Sequence, residues 1–234
     1  MRFSRWSAAG NDYLLVERAE LGEPLTPERV RQEVGGADGI LEVLAVDGAR
    51  AEIVIWNSDG SVAEMSGNGT RIAARWLVER SGEGEVRIAV GSREVVARMQ
   101  AGGEVEQELG GVEVLARERI AGLDVVCVSV GNPHAVVVGD PDDLPLIGPL
   151  LETHPRFPGR TNVQVARVDG PGRVTARVWE RGVGETRSSG TSAVAVAAAT
   201  QGEGETVVSF PGGELRVRLE GGRAWLTGPA ARIE

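Results

Sequence analysis

Two short stretches place a serine and a glycine at the foot of a helix-patterned run. Ser66-Gly67-Asn68-Gly69 precedes residues 70–80, and Ser189-Gly190-Thr191-Ser192 leads into the apolar run 193–199. The first N–H groups of a helix have no acceptor within it, and the positive end of the helix dipole lies there. Such a turn therefore suits a carboxylate or a phosphate. Glycine lets the backbone approach that anion closely. Serine capping a helix accounts for either turn taken alone. Two related turns in one chain favour a ligand held from two sides. Other polar turns could join them: Gly10-Asn11-Asp12, Asn57-Ser58-Asp59-Gly60-Ser61, Gly131-Asn132-Pro133-His134, Arg160-Thr161-Asn162 and Glu180-Arg181-Gly182. Alone, His134 reads as a satisfied structural histidine and Glu180-Arg181 as a surface ion pair of small energetic worth.

Composition removes several kinds of chemistry. All 25 basic residues are arginine. Without lysine, neither a pyridoxal phosphate Schiff base nor lysine-based covalent catalysis is available. The single cysteine, Cys127, lies in a Val-Val-Cys-Val run and reads as a small core residue. With only His134 and His154 beside it, no metal site is expected. A formal net charge of -9 argues against nucleic acid as a partner. No apolar run has the length of a membrane span or a signal peptide, so no membrane association is expected and the cytoplasm is the expected compartment.

The elements that would position these turns are mostly strands. β-branched runs at 14–16, 51–56, 86–90, 95–99, 125–130, 135–138, 163–165, 174–179, 207–210, 215–219 and 224–226 are punctuated by Gly, Pro and Asp. Helical patterns cover 26–34, 70–80, 144–151 and 191–200. This mixture predicts an α/β or α+β fold. The two serine turns each follow a strand end by nine residues, Asn57 in one case and Glu180 in the other. That repetition predicts two similar halves, residues 1–108 and 109–224, with a glycine-rich join at 102–111. The tail 225–234 is expected to return to the first half.

Taken in order, the polar turns resemble diaminopimelate epimerase along nearly the whole chain. The similar segments are Gly10-Asn11-Asp12-Tyr13, Gly36-Ala37-Asp38-Gly39, Asn57 through Arg71, Gly131-Asn132-Pro133-His134, Phe157 through Val163 and Trp179 through Thr186. The wider superfamily includes proline racemase and phenazine-biosynthesis isomerase-like proteins. The resemblance implies two pseudo-symmetric halves, each a curved mixed sheet around a central helix. It implies a cofactor-independent isomerase of lysine biosynthesis that inverts the α-carbon of a small-molecule amino acid, LL-diaminopimelate to the meso form. It also implies two bases on opposite faces of that carbon, because a single base tends to return the proton to its original side. Family members are often dimers, so a homodimer is the assembly it suggests.

Carried over by motif, the base positions are Ser66 and Ser189, with His134 supporting the first and Glu180 the second. Asn11, Asn57, Asn132, Asn162 and Arg181 would hold the distal carboxylate and amine. Gly67, Asn68, Gly190 and Thr191 would hold the α-carboxylate, whose developing charge needs preorganised donors. The departure from the family pattern is that both base positions, cysteine in the family, are serine here. An alcohol lies roughly five pKa units above a thiol at ~8.5, so forming each base costs on the order of 6–7 kcal/mol more. The family mechanism should then be slowed, or His134 or Glu180 should act directly. A binding-only relative, or a single-base isomerase or dehydratase, are the alternatives. The second turn also departs at Ser188 and Ser192, which favours natural divergence over deliberate replacement.

Overall fold

The computed structural model describes residues 3–233. These divide into two compact units, residues 3–107 with 228–233, and Glu108–Thr227.

The first unit runs β1 (Ser4–Ala8), β2 (Asn11–Glu17), α1 (Pro27–Glu33), β3 (Gly39–Asp47), β4 (Arg50–Asn57), the short β5 (Val62–Ala63), α2 (Gly67–Ser81), β6 (Glu85–Val90), β7 (Arg93–Met99) and β8 (Glu104–Gly111), whose last residues pass into the second unit. The second runs β9 (Glu113–Ile120), β10 (Leu123–Ser129), β11 (Pro133–Val138), α3 (Leu144–Glu152), β12 (Asn162–Gly170), β13 (Arg173–Glu180), β14 (Gly184–Thr186), α4 (Gly190–Thr200), β15 (Gly204–Phe210), β16 (Gly213–Glu220) and β17 (Arg223–Pro229). A final short strand, β18 (Ala231–Arg232), pairs with β1.

Each unit repeats one plan. An antiparallel pair (β1–β2, β10–β11) is followed by a crossover helix to a parallel neighbour (β3, β12), then an antiparallel partner (β4, β13). After the central helix a parallel strand joins (β6, β15) and a hairpin closes the plan. One helix touches strands along the whole sheet of its unit: α2 meets β1, β2, β4, β6 and β7, and α4 meets β9 through β13, β15 and β16. A flat sheet cannot reach a single helix from so many strands, so each sheet is curved around its helix.

Sequence explains the helices. Ser66 caps α2 by accepting the Gly69 N–H at 3.1 Å, and Gly82 ends it in a left-handed conformation at φ 76°. Helix α4 is buried all round except at Thr191 and Thr200, which suits its alanine-valine sequence to a central helix. In the first unit Ile72, Ala73 and Leu77 of α2 pack on Leu41, Ile53, Ile55 and Ile88. Truncating Leu77 to alanine there would cost about 2–5 kcal/mol.

The residue 102–111 segment, expected as a glycine-rich join, is a tight turn followed by β8, which pairs with β7. Cys127 is buried in β10, beside Glu118 at 3.5 Å, and burial pushes its thiol up to about 11. Among the described residues no helix is long and apolar enough to cross a membrane.

Candidate functional site

The strand registers align the two plans residue by residue. Trp56 pairs with Ile40, and Trp179 with Val163. Asn57 pairs with Gly39 across the first sheet, and Glu180 takes the matching place after Trp179. Each tryptophan precedes its serine by ten residues, Trp56 to Ser66 and Trp179 to Ser189. Tyr13 pairs with Gly39 between the parallel strands β2 and β3, and His134 pairs with Asn162 between β11 and β12. Tyr13 and His134 are therefore counterparts, each two residues beyond an asparagine in a Gly-Asn turn.

In the first unit Ser66 stands at the head of α2. Its hydroxyl takes the Gly69 N–H at 3.1 Å and lies 3.3 Å from the Tyr13 hydroxyl. The Tyr13 ring lies over Gly39, where an added Cβ would come within 2.9 Å of the ring and 2.2 Å of the Trp56 carbonyl oxygen. Glycine at 39 is thus a steric requirement. Below Ser66 the guanidinium of Arg71 is fully buried and bonds the Gly67 carbonyl at 3.0 Å, the Asn68 side chain and the Pro229 carbonyl at 3.5 Å. Burial pushes Arg71 down to about 10, opposed by attraction to Tyr13, so it stays charged at neutral pH. Gln107 adds a bond to the Gly67 carbonyl at 2.9 Å and accepts from Thr70 at 2.7 Å. The Gly67-Asn68 turn is therefore held from behind, and its N–H groups, which have no acceptor within the helix, begin α2. Asn11 is buried with its amide on the Ala9 carbonyl at 3.3 Å, and the Asn57 amide bonds Ser61 within its own turn at 2.9 Å.

In the second unit Ser189 precedes α4 but its hydroxyl makes no cap bond, unlike that of Ser66. The residue is 8% exposed, and the N–H groups of Gly190 and Thr191 begin the helix. His134 is buried with both ring nitrogens engaged: Nε2 lies 2.9 Å from Asn132 Oδ1 and Nδ1 lies 3.1 Å from Gln164 Nε2. The Gln164 amide also donates to Ser192 at 2.9 Å, leaving its own carbonyl oxygen buried without a protein partner. Turning that amide over would bury two unpaired N–H donors in place of one acceptor, which is worse. Nδ1 is thus the acceptor, and the ring is neutral with its proton on Nε2. Burial pushes His134 down to about 3. The ring is a fixed polar support rather than a free base.

Asn162 gathers three segments. Its amide donates to the Pro133 carbonyl at 3.0 Å, and its carbonyl takes the Arg181 N–H at 3.0 Å. Asn132, His134, Asn162 and Arg181 are therefore brought together in one unit. Glu180 accepts a 2.6 Å bond from Thr186, while the Arg181 side chain is exposed and reaches the Gly159 carbonyl at 3.4 Å.

Two carboxylates that sequence reasoning missed brace the tryptophans. Glu42 is fully buried and takes the Trp56 indole N–H at 3.0 Å and Arg18 at 2.9 Å. Glu152, at the end of α3, takes the Trp179 indole N–H at 2.7 Å and the Gly182 N–H at 2.8 Å. It brackets Glu180 and Arg181 from both sides in sequence. Gly148 makes room for this contact, since a Cβ there would lie 2.8 Å from the Trp179 ring. Tyr13 was missed as well. The repeat of Gly-Asn at 10–11 and 131–132 was the available signal.

The model of the family described as diaminopimelate epimerase matches residues 3–115 and 126–233. The chain belongs to the diaminopimelate epimerase family. Relatives bearing that name include one from Synechocystis sp., 37% identical with 100% of this chain and 97% of the relative covered. One from Synechococcus elongatus is 38% identical, covering 100% of this chain and 96% of the relative. A chloroplastic enzyme of Oryza sativa subsp. japonica is 34% identical, covering 100% of this chain and 78% of that protein. Among solved structures, a Bacillus anthracis phenazine biosynthesis protein superposes with a TM-score of 0.74 at 14% identity, covering 100% of this chain and 98% of that one. A hydroxyproline epimerase from Agrobacterium vitis superposes with a TM-score of 0.70 at 16% identity, covering 99% of this chain and 88% of that one. These structures share the fold. Membership makes the chain an isomerase of a pyridoxal-phosphate-independent epimerase family.

Proposed function

We propose that the chain inverts the α-carbon of diaminopimelate, LL to meso, in lysine biosynthesis, with Ser66 and Ser189 presented to opposite faces of that carbon. The observation that carries this reading is the duplicated element: in each unit a serine ten residues beyond the register-matched tryptophan heads a central helix, whose first N–H groups have no acceptor within the helix. Gly67 and Asn68 in one unit, and Gly190 and Thr191 in the other, would hold the α-carboxylate and stabilise charge on the carbanion. Asn11, Asn57, Asn132, Asn162 and Arg181 would hold the distal carboxylate and amine. His134 supports this reading as a neutral, fixed hydrogen-bonding group, and Glu180 as the carboxylate that ends the strand leading toward the Ser189 turn. With serine at both positions, turnover is expected to be slow.

A test is incubation with LL-diaminopimelate in deuterated water. Uptake of α-deuterium with formation of the meso isomer supports the proposal. Calorimetric binding with no uptake over a long incubation replaces it with a binding-only relative. Uptake without inversion replaces it with single-base chemistry.

A further inference from the structure

His134 and Tyr13 occupy equivalent register positions, yet their surroundings differ. The His134 ring has both nitrogens tied to neutral side chains. The Tyr13 hydroxyl instead touches the Ser66 hydroxyl at 3.3 Å. Ser66 Oγ already accepts the Gly69 N–H, so it is a fixed acceptor whose own proton can turn toward the phenol oxygen. Behind both lies Arg71, whose bonds to Gly67, Asn68 and Pro229 all go to neutral oxygens. A buried positive charge with neutral ligands stabilises an anion placed near it, and Tyr13 is the group drawn to it. The acidic residues beside Tyr13 are committed elsewhere: Asp12 pairs with Arg5 at 3.2 Å, and Asp38 takes the Asp12 N–H at 2.7 Å.

Resting on the isomerase reading above, we propose that Tyr13 is the proton-transfer partner of Ser66, supplying the acidity that the alcohol lacks. In the step, the α-C–H bond breaks and its proton passes to Ser66 Oγ. The Ser66 hydroxyl proton passes at the same time to the Tyr13 phenolate oxygen. The electron pair of the broken bond stays on the α-carbon and spreads into the carboxylate. Serine ends as a neutral alcohol and tyrosine as a neutral phenol, so one negative charge moves from the phenolate to the substrate. In the reverse direction the phenol donates through Ser66 to the carbanion. The phenolate forms by loss of the phenol proton to solvent, beside Arg71. A phenol, ordinarily near ~10, is a far stronger acid than an alcohol.

The chain contains one tyrosine, so 3-fluorotyrosine supplied during expression enters at residue 13 alone. Deuterium uptake into LL-diaminopimelate is then followed against pH for the ordinary and fluorinated proteins. The expected result is that the acid limb of the kcat/KM profile moves to lower pH in the fluorinated protein. Tyr13→Phe should lose about 10²–10⁴-fold in exchange rate while calorimetric affinity for diaminopimelate stays within a few-fold. A limb that fluorination leaves in place, or a Tyr13→Phe protein that exchanges like the parent, overturns the role of Tyr13 and leaves the isomerase reading standing. Absence of exchange in the unmodified protein overturns both.

Discussion

Glu152 and Trp179 meet at 2.7 Å, carboxylate oxygen to indole nitrogen, and the other oxygen of the same carboxylate holds the Gly182 N–H at 2.8 Å. A helix end thereby fixes both sides of the Glu180-Arg181 turn. Glu152→Gln puts an NH2 group against one of two donors and should cost about 1–3 kcal/mol, read as a lower urea midpoint. Burial opposes ionisation of Glu152, but the Trp179, Gly182 and Arg160 contacts outweigh it and hold the carboxyl below its usual range. The group therefore stabilises the fold above its unfolded pKa, and that contribution disappears as pH falls through the lower folded value. The parent should lose stability in acid more steeply than Glu152→Gln.

His134 works with the opposite charge but along the same direction of pH. Its folded pKa is pushed from 6.5 down to about 3. Between those values the unfolded chain binds a proton that the folded chain refuses. Stability should therefore fall by about 1.4 kcal/mol per pH unit as pH drops below the unfolded value. Urea midpoints measured between pH 7 and 4 should fall more steeply for the parent than for His134→Gln. Equal slopes would mean the ring is protonated in the native protein.

The two serines differ in what they hold. Ser66 caps its helix and Ser189 makes no cap bond. Ser66→Ala should cost about 1 kcal/mol of stability, and Ser189→Ala, which removes no cap bond, should cost less. Thermal melts of the two single variants would reveal equal losses if this asymmetry were absent.

Restoring thiols tests the assignment of the base positions. Ser66→Cys combined with Ser189→Cys should raise α-deuterium exchange on diaminopimelate well above the parent, because a thiol at ~8.5 ionises far more readily than an alcohol. A double variant that binds diaminopimelate calorimetrically but exchanges no faster than the parent would show that these positions do not carry the proton.

Arg71 should be irreplaceable by lysine. Its guanidinium serves Gly67, Asn68 and Pro229 together from a fully buried position, and an ammonium cannot span that fork. Arg71→Lys is expected to lose about 2–4 kcal/mol and to loosen residues 228–233. Faster amide exchange in that segment, with the 144–152 helix of the other unit unchanged, is the expected pattern.

Much of this architecture is legible in the residue pattern. Thr26 and Ser66 cap two of the helices and apolar runs mark the other two, while valines and isoleucines mark the strands flanking Trp56 and Trp179. β9 is not legible, because Glu113 to Arg119 are mostly exposed and, after Glu113, run as three apolar residues followed by three charged ones with no period-two alternation, so pairing with β10 rather than pattern makes it a strand. The glycines of β8 hid a strand behind the composition of a linker. Glu42 and Glu152 were invisible for a related reason. A glutamate in a sequence reads as surface, and only a tryptophan N–H brought to it by the fold gives it a buried role.

The braces behind the two tryptophans are not copies of one another. By register the counterpart of Glu42 is Val165, and the second unit draws its carboxylate from a helix instead. In the first unit the leftover oxygen holds an arginine; in the second it holds the backbone of the turn that carries Glu180. A tandem built from either half twice would keep both indoles braced and both serines in register. It would nonetheless have two strand buttresses and no turn clamp, or the reverse. The halves have specialised where their carboxylates are anchored, and neither can stand in for the other.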